Sequence, residues 1–134
     1  MRRFILSFAI VVVGVFIGSA QTAQKEAPAS VSDKIEAYYF HFNARCATCR
    51  AVESEAKADI LSLYPGRASF QAINLDETSS KAIAEKLKVS GQTLLIVKGD
   101  QQINLTNEGF LYATTNPAKL KSVIKQKVDN LLEK

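Results

Sequence analysis

Cys46 and Cys49 are the chain's two cysteines, with Ala47 and Thr48 between them. That spacing at the start of a helix lets two thiols close into a small disulfide and open again. As a structural staple the pair is poor, because so short a loop removes little entropy from the unfolded chain. Reversible exchange of electrons with another thiol or disulfide is the chemistry these residues suit.

The nucleophile in such exchange is the thiolate, and an unperturbed cysteine is mostly protonated at neutral pH. Cys46, at a helix N-terminus, meets unpaired backbone N–H groups and the positive end of the helix dipole. Arg45 and Arg50 bring positive charge to either side. All three favour the anion, so Cys46 is expected to attack and Cys49, one turn further in, to resolve the mixed disulfide. Thr48 is a candidate donor to a sulfur, or a solvent-facing residue of the first turn. His41, the single histidine, has a side chain that titrates near neutrality. Strand alternation puts it on the face opposite Phe40 and Phe42, where packing competes with proton transfer. Tyr38 and Tyr39 read as core. A dithiol also binds soft ions such as copper(I) or arsenite. A closed zinc site wants four ligands, which two cysteines and a distant His41 do not supply.

Holding the pair at a helix start requires a strand before it. Ile35 to Phe42 is almost wholly apolar and aromatic, the mark of a strand buried on both faces. Val52, Ala56, Ile60 and Leu63 then recur at helical spacing from Cys46 to Tyr64, and Pro65-Gly66 stops the helix. Ser69 to Leu75 reads as a second strand. Thr78 to Lys88 reads as a helix with Ile83, Ala84 and Leu87 inward. Leu94 to Val97 is a third strand, turned by Lys98-Gly99-Asp100 into a returning strand over Gln102 to Thr106. Asn107 to Thr115 connects that strand to the last helix. Asn116 caps a final helix with Pro117 at its first position, and Leu120, Val123, Ile124, Val128 and Leu131 form its inner stripe. The order β-α-β-α-β-β-α implies an α/β fold with a central mixed sheet. Parallel pairing is expected from the alternation, an antiparallel edge from the last hairpin, and helices on both faces.

The first 20 residues combine Arg2-Arg3, the uncharged apolar run Phe4 to Gly18, and the small residues Gly18-Ser19-Ala20. This is the pattern of a secretory signal, with an uncleaved membrane anchor as the rival. Residues 21–33 are polar, contain Pro28 and read as a flexible linker. Residues 34–134 are then one domain, outside the cytoplasm or in the periplasm. The formal charge of +4 falls to +2 when Arg2 and Arg3 are removed. The remaining charges are interspersed, which argues against nucleic acid as a partner.

Element order together with Cys46-Ala47-Thr48-Cys49 after the first strand resembles the thioredoxin superfamily over roughly residues 34 to 133. Tyr38-Tyr39-Phe40-His41-Phe42, Arg45-Cys46-Ala47-Thr48-Cys49-Arg50 and Gly91-Gln92-Thr93-Leu94-Leu95-Ile96-Val97 resemble a small exported bacterial branch. That branch is labelled the ArsF-type, or nitrophenyl compound nitroreductase subunit, family. The resemblance implies a thioredoxin-like fold and a protein thiol or disulfide as substrate, or a membrane electron-transfer partner. It implies Cys46 and Cys49 as the redox pair and no cofactor. A non-catalytic module holding a soft metal or metalloid, and an accessory subunit of a membrane system, are the alternative functions. Membrane contact follows only if the N-terminal segment stays attached. The pattern departs from ordinary thioredoxins at three places. Arg45 stands where a tryptophan is usual, Phe40 where a buried acid is common, and Gln92 where a cis-proline faces the disulfide. A cis bond before a non-proline residue costs about 3–4 kcal/mol, so Gln92 is expected to be trans. Gln92 and Thr93 are the candidate substrate-facing residues of that loop.

Overall fold

A computed structural model describes residues 33–134. The expected signal segment, and all of the expected linker but Asp33, lie outside the described residues.

Strand β1 (Ile35–His41) is the inner strand on which the rest is assembled. Its apolar run continues through both faces, and Ile35, Tyr39 and Phe40 are fully buried. Phe42, the last residue of the apolar run, has left the strand and is exposed. Helix α1 (Ala47–Leu63) follows, then β2 (Ala68–Asn74), a single 3-10 turn (Thr78–Ser80) and helix α2 (Lys81–Leu87). Strands β3 (Thr93–Lys98) and β4 (Gln101–Asn104) form a hairpin. Helices α3 (Thr106–Tyr112) and α4 (Pro117–Leu132) complete the chain. The sheet order is β2-β1-β3-β4.

Among the described strands only β1 and β2 are parallel, with Ile35 opposite Ala68 and His41 opposite Asn74; β3 runs antiparallel to β1. This corrects the parallel pairing expected from alternation, and helix length explains it. At about 1.5 Å per residue, the 17 residues of α1 carry the chain back to the start of the sheet. The 7 residues of α2 do not. β3 therefore enters beside the end of β1, Thr93 opposite Phe40, and runs the other way.

Helix α3 corrects a second expectation. The returning strand stops at Asn104, whose side-chain oxygen accepts from Thr106 N at 3.0 Å and from Thr106 Oγ1. That local turn starts a helix in a stretch to which the sequence assigns no element. Gly109 hides the helix in the sequence, since glycine weakens helices by about 1 kcal/mol. The packing explains its presence, because a Cβ there would stand 2.9 Å from Val52 Cγ1 of α1.

Helices α1, α3 and α4 cover one face of the sheet, enclosing Tyr39, Leu94 and Ile96 with Val52, Ile60, Leu120 and Ile124. The other face, Tyr38, Phe40, Leu95 and Val97, is closed by Ala84 and Leu87 of α2. Asn116 caps α4 through its side-chain oxygen, which accepts from Lys119 N, and Pro117 takes the first turn as expected. Lys98 is buried and donates to Leu131 O at 3.1 Å, tying the end of α4 to β3. Among the described residues no helix is long and apolar enough to cross a membrane.

The seam between α1 and α4 holds two carboxylates shifted in opposite directions. Burial pushes Asp59 above its ordinary 3.8, opposed by Lys121, whose Nζ lies 3.7 Å from Oδ1; Oδ2 has no hydrogen-bond partner among the described residues. Asp129 is held below its ordinary value by Lys125 and by Tyr64, whose hydroxyl donates to Oδ1 at 2.7 Å. For Asp59 the folded state binds its proton more tightly than the unfolded state. Its contribution is therefore complete below the ordinary carboxylate value and is lost as pH rises through the raised one. Asp129 acts oppositely and is common to wild type and variant. The stability of Asp59→Asn relative to wild type should thus increase as pH rises from about 3.5 towards 7, read from urea midpoints. A difference that stays constant across that range contradicts a buried, upward-shifted Asp59.

Candidate redox site at the Cys46–Cys49 disulfide

β1 delivers the chain to one end of the sheet, and a short bend, Asn43-Ala44, turns it into α1. Asn43 is pinned in that bend, its N–H donating to Asp76 at 2.6 Å and its side-chain oxygen accepting from Asn74 Nδ2 at 2.8 Å. The loop before the cysteines is thereby tied to the loop after β2. Cys46 is the N-cap of α1, in extended conformation, and its Sγ accepts from Cys49 N at 3.1 Å. The sulfur takes the place that a serine or aspartate oxygen takes in ordinary caps. An anionic Cys46 would gain more from the same N–H and from the dipole behind it.

The two cysteines are joined as a disulfide, Cα to Cα 5.1 Å. Their environments differ. Cys46 is exposed, while Cys49 is 3% exposed and lies under the loop that precedes β3. Gln92 closes that side, its Nε2 3.5 Å and its Oε1 3.7 Å from Cys49 Sγ. In the disulfide Cys49 carries no proton, so the amide N–H is the donor. In the dithiol, Cys49 can donate to the amide oxygen instead. One side chain serves both oxidation states. All peptide bonds among the described residues are trans, that before Gln92 included. Thr93 turns its hydroxyl back to Gly91 O at 3.0 Å, which shapes the loop.

Gln92→Leu removes the amide that would meet a Cys49 thiolate during disulfide exchange. Lost hydrogen bonds to charged groups amount to about 1.5–3 kcal/mol. Allowing for partial exposure, resolution of a mixed disulfide should slow roughly tenfold. Stopped-flow release of the partner thiol measures it, and unchanged release would show that Gln92 only fills space.

The remaining candidate residues fall in two groups. Arg45 is half-buried and ion-paired with Glu53 of α1, so its charge reaches Cys46 already partly cancelled. The phenol of Tyr39 lies within reach of this pair. Burial raises its pKa, Arg45 pulls it down and Glu53 pushes it up; neither Tyr39 Oη nor Arg45 Nε has a hydrogen-bond partner among the described residues. Arg50 is exposed, and Thr48 is half-buried with no hydrogen bond to either sulfur. His41 stands beside Tyr39, ring centroids 6.2 Å apart, with Nδ1 3.1 Å from Phe42 O. It is thus packed on the α1 face, opposite Phe40, and is not bonded to the disulfide. Glu53 is the residue that sequence reasoning missed. The signal for it was weak, an acid eight positions after Arg45 on the outward side of a helix. Among the described residues, no three His, Cys, Asp or Glu side chains are grouped as a metal would require.

No protein-family model matches the chain, and no curated protein matches it. Solved structures do. Trxlp of Edwardsiella tarda aligns with TM-score 0.50 at 19% identity, over 69% of this chain and 84% of its own. The zinc-bound form of human ERp44 aligns with TM-score 0.52 at 15% identity, over 73% of this chain and 28% of its own. Oxidised thioredoxin O2 of Arabidopsis thaliana aligns with TM-score 0.48 at 24% identity, over 70% and 75%. At such identities the likeness concerns the backbone. With a four-stranded mixed sheet, helices on both faces and a Cys-x-x-Cys disulfide capping α1, the chain has a thioredoxin-like α/β fold.

Proposed function

We propose that the chain is a thiol–disulfide oxidoreductase acting on a protein thiol or disulfide through Cys46 and Cys49. The carrying observation is the asymmetry of the pair. An exposed cysteine caps a helix, and a buried one sits behind it under Gln92.

In the reducing direction, the Cys46 thiolate attacks one sulfur of the partner's disulfide. A bond forms between Cys46 Sγ and that sulfur, and the partner's other sulfur leaves as a thiolate. Cys49, losing its proton to solvent, then attacks Cys46 Sγ. The mixed disulfide breaks, the partner's second thiolate leaves and takes up a proton, and the Cys46–Cys49 bond closes. The partner gains two electrons and this chain loses them. Run backwards, the same steps oxidise a partner dithiol. Arg50 and the helix dipole favour the Cys46 anion, Arg45 less so because of Glu53.

The finer reading places this activity outside the cytoplasm, in an exported branch of the superfamily of the ArsF-type. It is supported by the Arg2-Arg3 start, the apolar run to Gly18, and the residues around Cys46 and Gln92. The partner is then an extracytoplasmic protein or a membrane electron carrier.

The test incubates the reduced protein with an unfolded, disulfide-bonded protein and counts thiols by mass spectrometry. The reading requires two new thiols on the substrate for each Cys46–Cys49 bond closed. Closure without substrate reduction would overturn it.

A further inference from the structure

Beside the disulfide, the outer side of α1 carries a depression of about 280 Å³ lined by Arg45, Arg50, Glu53, Ser54 and Lys57. Three of its five residues are cations, and their situations differ. Arg45 is paired with Glu53, which partly cancels its charge. Arg50 and Lys57 are exposed and make no ion pair with any described residue. They are seven positions apart, two helical turns, so they point to the same side about 10 Å from each other along the axis. Arg50 directly follows Cys49 in the chain. Any protein brought to Cys46 therefore lays part of its surface near these two charges.

Elsewhere in the structure, ionised side chains near the seams have been given partners: Lys121 has Asp59, Lys125 has Asp129, and Lys98 has the end of α4. Glu53 is four residues before Lys57, the better orientation for a helical ion pair. It is nevertheless turned to Arg45. The effect is a directed positive edge that starts at the redox pair and runs down α1.

We propose that Arg50 and Lys57 form the docking edge for an acidic stretch of the partner protein, so that substrate choice favours carboxylates beside the reacting cysteine. The inference rests on the redox reading of the pair and names the substrate class for it. A segment in the polyproline II conformation, a major form of unfolded chains, advances about 3.1 Å per residue and presents every third side chain on the same side. Two carboxylates three residues apart would therefore match the spacing of the two cations. Surface ion pairs stabilise little by themselves, but two of them beside a transient encounter alter association rates substantially.

The experiment uses the full chain and two disulfide-bonded peptides that differ only in flanking residues. One has two Asp spaced by three, the other two Lys. At low salt the kcat/KM ratio, acidic over basic, should be roughly tenfold or more, and should fall towards one at high salt as screening sets in. Arg50→Glu with Lys57→Glu should invert the ratio, whereas Lys127→Glu, the same kind of charge change on the exposed side of α4, should not. Taking a ratio cancels any effect of Arg50 on Cys46 reactivity. Binding is read separately by anisotropy, with labelled peptides whose cysteines are replaced by serine. A ratio near one in wild type, or one that survives the double reversal, overturns the docking edge. If neither peptide is turned over, the redox reading fails, and the anisotropy ratio still decides the docking edge.

Discussion

A Cys49→Ser variant is expected to accumulate mixed disulfides through Cys46, and a Cys46→Ser variant to form none. In the proposed reaction, attack and resolution are separate steps carried by different sulfurs. Cys46 is exposed and Cys49 is nearly fully buried, so an incoming disulfide meets Cys46 first. Removing Cys49 leaves the first bond to form and takes away the group that breaks it. Removing Cys46 leaves a sulfur that a protein-sized partner does not reach. Turnover should fall by about three orders of magnitude or more in both variants. They differ in what remains: a covalent adduct in one and free protein in the other. Non-reducing electrophoresis after alkylation separates these outcomes. Adducts that form equally well without Cys46 would reverse the roles of the two cysteines.

The second large effect concerns the packing that holds the site. Leu94 is fully buried in β3, between Tyr39 of the neighbouring strand and the floor under Gly109 of α3. Its N–H is bonded by Thr106 Oγ1 and its carbonyl accepts from Leu105 N, so it fastens α3 to the sheet. Gln92 lies only two residues before it. Leu94→Ala removes three carbons where three elements converge, and typical costs for such truncations are about 2–5 kcal/mol. The higher part of that range is expected because the neighbours belong to rigid elements on three sides. A domain of this size loses about 4–8 °C of Tm per kcal/mol. The melting temperature should therefore drop by roughly 12 °C or more. A drop of a few degrees would mean that α3 closes over the space.

Much of this was legible from residue types. The strand that carries the site could be read because Ile35 to His41 is apolar on both faces, which few other structures tolerate. The last helix announced itself through Asn116 and Pro117 at its start. The cysteine pair was legible because a helical pattern followed it directly. Other features depend on relations that a linear reading does not contain. The direction of β3 is decided by how far α2 carries the chain, a matter of three-dimensional reach. Helix α3 was hidden because the packing against Val52 demands glycine at 109, and glycine argues locally against a helix. Arg45 looked like a free cation beside Cys46. It is paired with Glu53, one of several acids on α1, and nothing in the local pattern selects that one. Gln92 was placed opposite the disulfide by family resemblance and not by physics, since it is 43 residues from Cys49 in the chain.

The central claim is that the Cys46–Cys49 bond opens and closes in function. The reduction potential of the full chain, equilibrated against glutathione and dithiothreitol buffers and read by alkylation of free thiols, tests it most directly. A working redox pair is expected to lie between about −120 and −270 mV. A potential below about −300 mV, where structural disulfides lie, would contradict the account and leave the bond as a staple.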